Sequence, residues 1–298
     1  MITITEVSKK FGKKQVLQDI SCQINTGQIY GLIGYNGAGK TTLLKIISGI
    51  YRPDYGQVCL AGKPILQANE LKKKLFIMTE EVYFLPQADL QQMRSFYKGY
   101  YPNWDDHTFW RLIEAFGLNP WQKIHGFSKG MQRQVGLILA FSVRPQFLFL
   151  DEAFDGLDLV KRQWMKQLLD AYVEATNATV VITSHNLREL EGIVDGLGMI
   201  RDSRLAFHGT VAEMRQNCQH VSFQTGDDQK AEYIKTLPWK QLEQQKRNFA
   251  GIWMGDATSL QKQLQAACCE NIQMRPATLE EFFLTEKEQV HYDFQNLF

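Results

Sequence analysis

The chain has 298 residues, 44% hydrophobic and 22% charged, a balance expected of a soluble globular protein of roughly two domains. The 33 basic and 32 acidic residues leave a formal net charge of +1, without the basic excess of a nucleic-acid binder. No uninterrupted apolar stretch of about 18 residues is present to span a membrane. Met1 to Lys10 alternates apolar and polar residues and lacks a signal-peptide core. Cys22, Cys59, Cys218, Cys268 and Cys269 form no C-x-x-C spacing and leave one thiol over in any full pairing, so a reducing, cytoplasmic setting without a disulfide frame or zinc site is expected.

In chain order, Ile2 to Thr5 and Val16 to Cys22 read as strands, and Gly27 turns the chain into a short buried strand, Gln28 to Ile33. Pro53-Asp54-Tyr55-Gly56 is a turn signal before a hairpin-like Gln57 to Gly62, and Leu75 to Met78 is a further strand. From about 88 to 142 the pattern is helical, with Asp105 or Asp106 capping a helix that ends before Gly117. Phe147 to Leu150 is intensely apolar; a long helix through Trp164 and Leu169 follows, then a buried strand, Val180 to Thr183. Asp202-Ser203 reads as a hairpin turn, and Thr210-Val211-Ala212-Glu213 and Thr278-Leu279-Glu280-Glu281 read as capping boxes. Strands alternating with helices in this way predict a parallel α/β core. No internal repeat or low-complexity segment is visible.

The run Gly34-Tyr35-Asn36-Gly37-Ala38-Gly39-Lys40-Thr41 satisfies G-x-x-x-x-G-K-[ST], the phosphate-binding loop of nucleotide triphosphatases. It lies between a predicted strand and a predicted helix, the context the motif requires. Its glycines let backbone N–H groups converge on phosphates, Lys40 brings charge to the outer phosphates, and the Thr41 hydroxyl can ligate Mg²⁺. The following helix, Thr41 to Ser48 with Thr42 in its first turn, aims its N-terminal dipole at the same anion. Further on, the apolar run ends in Asp151-Glu152. Asp151 at the edge of a buried strand is placed to hold Mg²⁺ and Glu152 to polarise an attacking water. The strand ending Thr183-Ser184-His185 puts an imidazole where it can hydrogen-bond a γ-phosphate and orient Glu152.

Phe127-Ser128-Lys129-Gly130-Met131-Gln132-Arg133 precedes the apolar strand. With it, the chain resembles the nucleotide-binding subunits of ABC transporters, whose signature L-S-G-G-Q is matched at Ser128 and Gly130 and altered at Lys129 and Met131. The S-K-G-M variant is similar to that of exporter-type and antibiotic-resistance branches. The resemblance covers residues 1 to about 215. It implies a P-loop core with an N-terminal antiparallel β-subdomain and a helical subdomain at about 88–142, followed by a small α+β accessory domain at 216–298.

The same resemblance implies that Phe11 stacks on adenine and that Asp158, in Phe154-Asp155-Gly156-Leu157-Asp158, reaches across a dimer. Ala153 stands where the family commonly has Pro. The metal-linked Gln of the family is replaced by Glu80, with Gln87 the alternative seven residues later. Two ATP would lie in a head-to-tail homodimer or paralogue heterodimer, Ser128 and Gly130 of one subunit facing the γ-phosphate on the other. Hydrolysis would drive a separate membrane permease, probed by helical-subdomain aromatics such as Tyr100, Tyr101 and Trp104. The chain would sit peripherally on the cytoplasmic face through that permease. Two other readings carry less: a soluble relative acting on a non-transport assembly, and a regulatory nucleotide-binding module. The sequence does not name a transported substrate.

Overall fold

In a computed structural model of the chain, which describes residues 1–285, two compact units divide between Gly209 and Thr210. The first begins with strands β1 (Ile2–Phe11) and β2 (Lys14–Ile24), then β3 (Ile29–Gly34) and helix α1 (Lys40–Ile47). Strands β4 (Tyr55–Leu60) and β5 (Lys63–Pro64), the short helix α2 (Asn69–Lys72) and β6 (Leu75–Met78) follow. Next come three helices, α3 (Leu90–Tyr100), α4 (Asp106–Phe116) and α5 (Lys129–Ser142). The unit closes with β7 (Phe147–Asp151), α6 (Leu159–Thr176), β8 (Thr179–Thr183), α7 (Leu187–Leu190), β9 (Gly196–Arg201) and β10 (Arg204–Thr210).

Two sheets share one core. The six-stranded sheet runs β10-β9-β3-β8-β7-β6, with β6, β7, β8, β3 and β9 mutually parallel. Every residue of β3, β7 and β8 is buried, as expected for parallel strands covered on both faces. The four-stranded sheet runs β2-β1-β4-β5 and is antiparallel throughout. Between them lies α1: Leu43, Leu44, Ile46 and Ile47 join Ile2, Ile4, Leu17 and Ile20 of one sheet to Phe147, Phe149 and Val181 of the other. Burying each such side chain contributes about 1.5–3 kcal/mol, so α1 is fixed from both sides and its N-terminus cannot drift. Tyr55 and Gly56, read from the sequence as part of a turn, are already strand; the turn ends at Asp54, whose carboxylate accepts from Lys9 Nζ at 2.9 Å and Lys10 N at 2.7 Å.

The helical region is organised by acids. Asp105 caps α4, accepting from the His107 and Thr108 amides, and Gly117 ends the helix in the left-handed conformation. Asp106 does something else. Its carboxylate accepts from Arg94 through both Nε and Nη2, from Lys98 Nζ and from Trp104 Nε1, each at 2.7 Å. Phe109 and Phe116 are core, and Tyr97, Tyr101 and Trp104 form a stacked series. Tyr101 and Trp104, expected at a docking groove, are therefore half-buried packing residues, while Phe96, Tyr100, Trp110 and Trp121 are the exposed aromatics.

The second unit holds α8 (Val211–Asn217), β11 (Cys218–Gln224), α9 (Asp228–Lys235), β12 (Gln241–Gln245), β13 (Asn248–Met254), α10 (Ala257–Ala266), β14 (Glu270–Pro276) and α11 (Leu279–Thr285). The capping boxes at Thr210–Glu213 and Thr278–Glu281 are both formed. Strand order β12-β13-β11-β14, all antiparallel, with helices crossing between, is the split βαββαβ arrangement of ferredoxin-like domains. Val221, Phe223, Phe249, Ile234, Leu260 and Leu264 fill its core. Residues 286–298 of the accessory segment lie outside the described residues.

The donors around Asp106 hold its carboxyl well below the usual carboxylate range, the Arg94 pair contributing most. A depressed pKa contributes stability that is present above the unfolded value of about 3.9 and lost as pH falls through the folded one. Asp106→Asn should therefore lower stability by about 1 kcal/mol at neutral pH, after allowing for solvent screening. Urea unfolding followed by circular dichroism should show that gap closing below about pH 4.

Candidate functional site

Three strand ends converge. In the order β3-β8-β7, Leu32 pairs with Thr183 and Thr183 with Asp151, so the C-terminal edge carries the Gly34 loop, Ser184-His185 and Glu152 side by side. Such an edge is where parallel α/β sheets bind ligands. A pocket of about 480 Å³ opens there, lined by Lys14, Val16, Asn36, Gly37, Gly39, Lys40, Thr41, Thr42, Glu80, Glu152 and His185. Lys14 and Val16 come from β2, a contribution of the antiparallel sheet that the sequence motifs give no sign of.

The loop is shaped for anions. Gly39 is the N-cap of α1 at φ 108°, and no side chain caps the helix. A Cβ there would also meet Leu17 Cδ2 at 2.8 Å and the Val16 carbonyl at 2.9 Å. Only glycine satisfies both the backbone and the space, and the uncapped N–H groups of the first turn are left for a ligand. Lys40 is buried, and its Nζ donates to the carbonyls of Gly34 at 2.8 Å and Tyr35 at 3.3 Å. Burial lowers the Lys40 pKa, opposed by the carboxylates of Glu152 and Asp151. The Ala38 amide also donates to the Tyr35 carbonyl, closing the loop on itself.

Asp151 is 1% exposed. Its Oδ1 accepts from Thr183 Oγ1 at 2.6 Å and from Thr41 Oγ1 at 3.1 Å, while Oδ2 is buried with no hydrogen-bond partner among the described residues. A buried bare carboxylate oxygen beside a hydroxyl is costly unless a cation completes it, so the donor set of Asp151 and Thr41 fits a hard divalent ion. Glu80 is exposed and lines the same pocket. Gln87 does not line it.

Glu152 sits in the left-handed region at φ 50°, a conformation that costs a non-glycine residue about 1–2 kcal/mol. Its amide donates to the Thr183 hydroxyl at 3.1 Å and the Thr183 carbonyl at 3.2 Å. The resulting bend turns the side chain toward His185, whose backbone N donates to Glu152 Oε2 at 3.0 Å and whose Nδ1 lies 2.8 Å from the same oxygen. A carboxylate only accepts, so Nδ1 is the donor in that pair and Oε1 remains for another ligand. Thr183 thus holds both acids, a role that depends on lateral strand pairing and not on any motif.

The remaining predicted residues stand elsewhere. Phe11 lies outside the pocket lining, exposed and edge-on to Tyr51 with centroids 5.7 Å apart. Ser128 is the exposed N-cap of α5, accepting from the Met131 amide. Asp158 is the exposed N-cap of α6, accepting from the Lys161 amide at 2.8 Å. Gly130 packs its backbone against Gly156. A separate cavity of about 350 Å³ on the second unit's sheet is lined by Ser222, Gln224, Glu243, Asn248 and neighbours, with no cationic side chain for phosphate.

A sequence model of the ABC transporter family matches residues 17–155. The ABC transporter ATP-binding protein YtrB of Bacillus subtilis is 31% identical over 228 residues, 76% of this chain and 77% of that protein. The bacitracin transport ATP-binding protein BcrA of Bacillus licheniformis is 27% identical over 235 residues, 78% and 77% of the two chains. Among solved structures, an ATP-binding subunit of an ABC transporter superposes with TM-score 0.67 at 23% identity, over 72% of this chain and 92% of that one. A dimeric ATP-binding cassette in a post-hydrolysis state, bound to ADP and Pi, superposes with TM-score 0.62 at 18% identity, over 71% and 99%. These structural likenesses establish the P-loop fold. With the phosphate loop, the paired acids and the histidine gathered at one sheet edge, this chain belongs to the family of ABC transporter ATP-binding proteins, the subunits that hydrolyse ATP.

Proposed function

We propose that this ATPase drives a separate membrane permease from the cytoplasmic side, working as an exporter, and that it closes head to tail with a second subunit around two ATP. The carrying observation is the pocket that joins Lys40, Thr41, Glu152 and His185 beside Asp151. No helix among the described residues is long and apolar enough to cross a membrane, which fits a permease on another chain. The named transport and resistance roles of similar proteins, such as bacitracin transport for BcrA and linearmycin resistance for LnrL of Bacillus subtilis, favour export.

In this reading the first-turn amides and Lys40 take the phosphates, with Asn36, Gly37, Ala38, Gly39, Thr41 and Thr42 forming the cradle. Lys40 already bonds two loop carbonyls, so phosphate exchanges those partners for charged ones instead of ordering a free side chain. Thr41 and Asp151 would hold Mg²⁺, with Glu80 as a further ligand; the ion supplies neutralisation of phosphate charge. Glu152 orients and polarises the attacking water through Oε1, while His185 holds Oε2 and faces the γ-phosphate. Phe11 stacks on the base. Ser128, Gly130 and Asp158 act on nucleotide bound by the opposing subunit, and the aromatic face near Phe96 and Tyr100 meets the permease.

Solution mass of Glu152→Gln with ATP and Mg²⁺ tests the dimer. The substitution blocks water activation and leaves nucleotide bound, so the 34.4 kDa chain should double in mass only when ATP is present. A monomer that still binds ATP would count against head-to-tail closure by this chain alone. Thr183→Val tests the inner shell. Losing the hydroxyl that orients Asp151 should weaken Mg²⁺ activation of ATPase by about 10–100-fold and lower urea stability by about 1–2 kcal/mol. An unchanged Mg²⁺ titration would remove Asp151 from the metal-binding role.

A further inference from the structure

Arg133 lies in the second turn of α5 and is 8% exposed. Its guanidinium reaches in two directions: Nη1 donates to the carbonyl of Glu152, and Nη2 donates to the carbonyl of Glu80 at 2.8 Å. Those carbonyls lie 19 and 53 residues away along the chain, on segments that follow different strands. A planar fork of donors suits this double task, because its rigid, separated nitrogens reach carbonyls on two distant segments, whereas an ammonium places all its donors on one nitrogen at the end of a flexible stem. Arg133 also lines a cleft of about 360 Å³, together with Glu80, Glu81, Lys129, Gln132, Asp155 and Gly156.

A second contact ties the same elements. A Cβ on Gly130, in the first turn of α5, would meet the Gly156 carbonyl at 2.5 Å, so the helix start and the loop after Glu152 touch backbone to backbone. The peptide that Arg133 grips belongs to the residue held at φ 50°. Strain of that kind persists only where surrounding structure fixes it; here the guanidinium holds the Glu152 carbonyl while Thr183 holds the Glu152 amide.

We propose that Arg133 is a positioning residue for ATP hydrolysis: one guanidinium joins the Glu152 peptide, the Glu80 segment and the start of α5 into a single body. The Glu152 carboxylate then reaches its working position only when both other segments are seated. The inference rests on the reading of Glu152 as the group that activates water, and it supplies a link between Glu80 and the signature segment that side-chain chemistry at position 80 does not.

The full-length protein with Arg133→Gln, Arg133→Lys and Arg133→Ala should be compared with wild type. The readouts are kcat, affinity for a fluorescent ATP analogue, and melting temperature. Arg133→Gln should lose about 100-fold in kcat, the scale of a small misplacement of a reacting group, with nucleotide affinity unchanged. Added guanidinium should restore part of kcat in Arg133→Ala. Arg133→Lys keeps charge and bulk, so it should fold even where the other variants do not, and it should show the same split of lower kcat at unchanged affinity. Wild-type kcat in Arg133→Lys or Arg133→Gln overturns the proposal, as does a parallel fall of kcat and affinity that guanidinium leaves untouched. Glu152→Gln, assayed alongside, separates the two failures: if it hydrolyses ATP at the wild-type rate, the role of Glu152 falls whatever Arg133 does.

Discussion

One buried carboxylate organises this molecule's chemistry. Asp151 ends a strand in which every residue is buried, and among the described residues it receives two hydroxyl hydrogen bonds on one oxygen and none on the other. Those hydroxyls come from α1 and from β8, so the acid is the point where phosphate loop, acidic strand and histidine strand are held in common. The fold makes this possible by placing α1 between two sheets. A helix packed on both faces delivers Thr41 and the loop amides to a fixed place, and the ligand meets a site that needs little ordering.

The residues gathered there and those left outside form two sets with different mechanical settings. Lys40, Thr41, Glu152 and His185 hang from the parallel sheet and its central helix. Ser128 and Asp158 instead cap helices at the surface, where both are exposed. As caps they stabilise their own helices by about 1 kcal/mol each. That role is complete within the chain and leaves their exposed faces available for other contacts. Gly130 connects the two sets through its close approach to Gly156, so the surface segment is not free to move independently of the acidic strand's exit.

Much of this was legible in the residues. Phe147 to Leu150 and Val180 to Thr183 read as buried strands because an unbroken apolar run has few other solutions, and a phosphate loop between strand and helix fixes the meaning of both neighbours. The capping boxes at Thr210 and Thr278 were visible for a related reason: both partners lie within four residues. What stayed hidden was lateral. Thr183 looks like any β-branched strand residue until its register beside Asp151 is known. Lys14 and Val16 enter the pocket from another sheet, and Arg133 reads as one more polar residue in a helix. Tyr101 and Trp104 are lateral too: large aromatics in a helical run suggest an interface, but the stacking of both on Tyr97 and the Trp104 bond to Asp106 show only in the fold. Tyr55 and Gly56 were misread because turn residues at a strand start carry the same local signal as a turn.

The left-handed backbone at position 152 sets stability against side-chain reach. On conformational grounds alone that position favours Gly, Asn or Asp, and a long side chain there is held at a cost to folding. A smaller residue would relieve that cost, about 1–2 kcal/mol, and would give up the carboxylate that meets His185. The most strained backbone at this sheet edge and its closest acid–imidazole contact therefore belong to the same residue, and neither can be changed without the other.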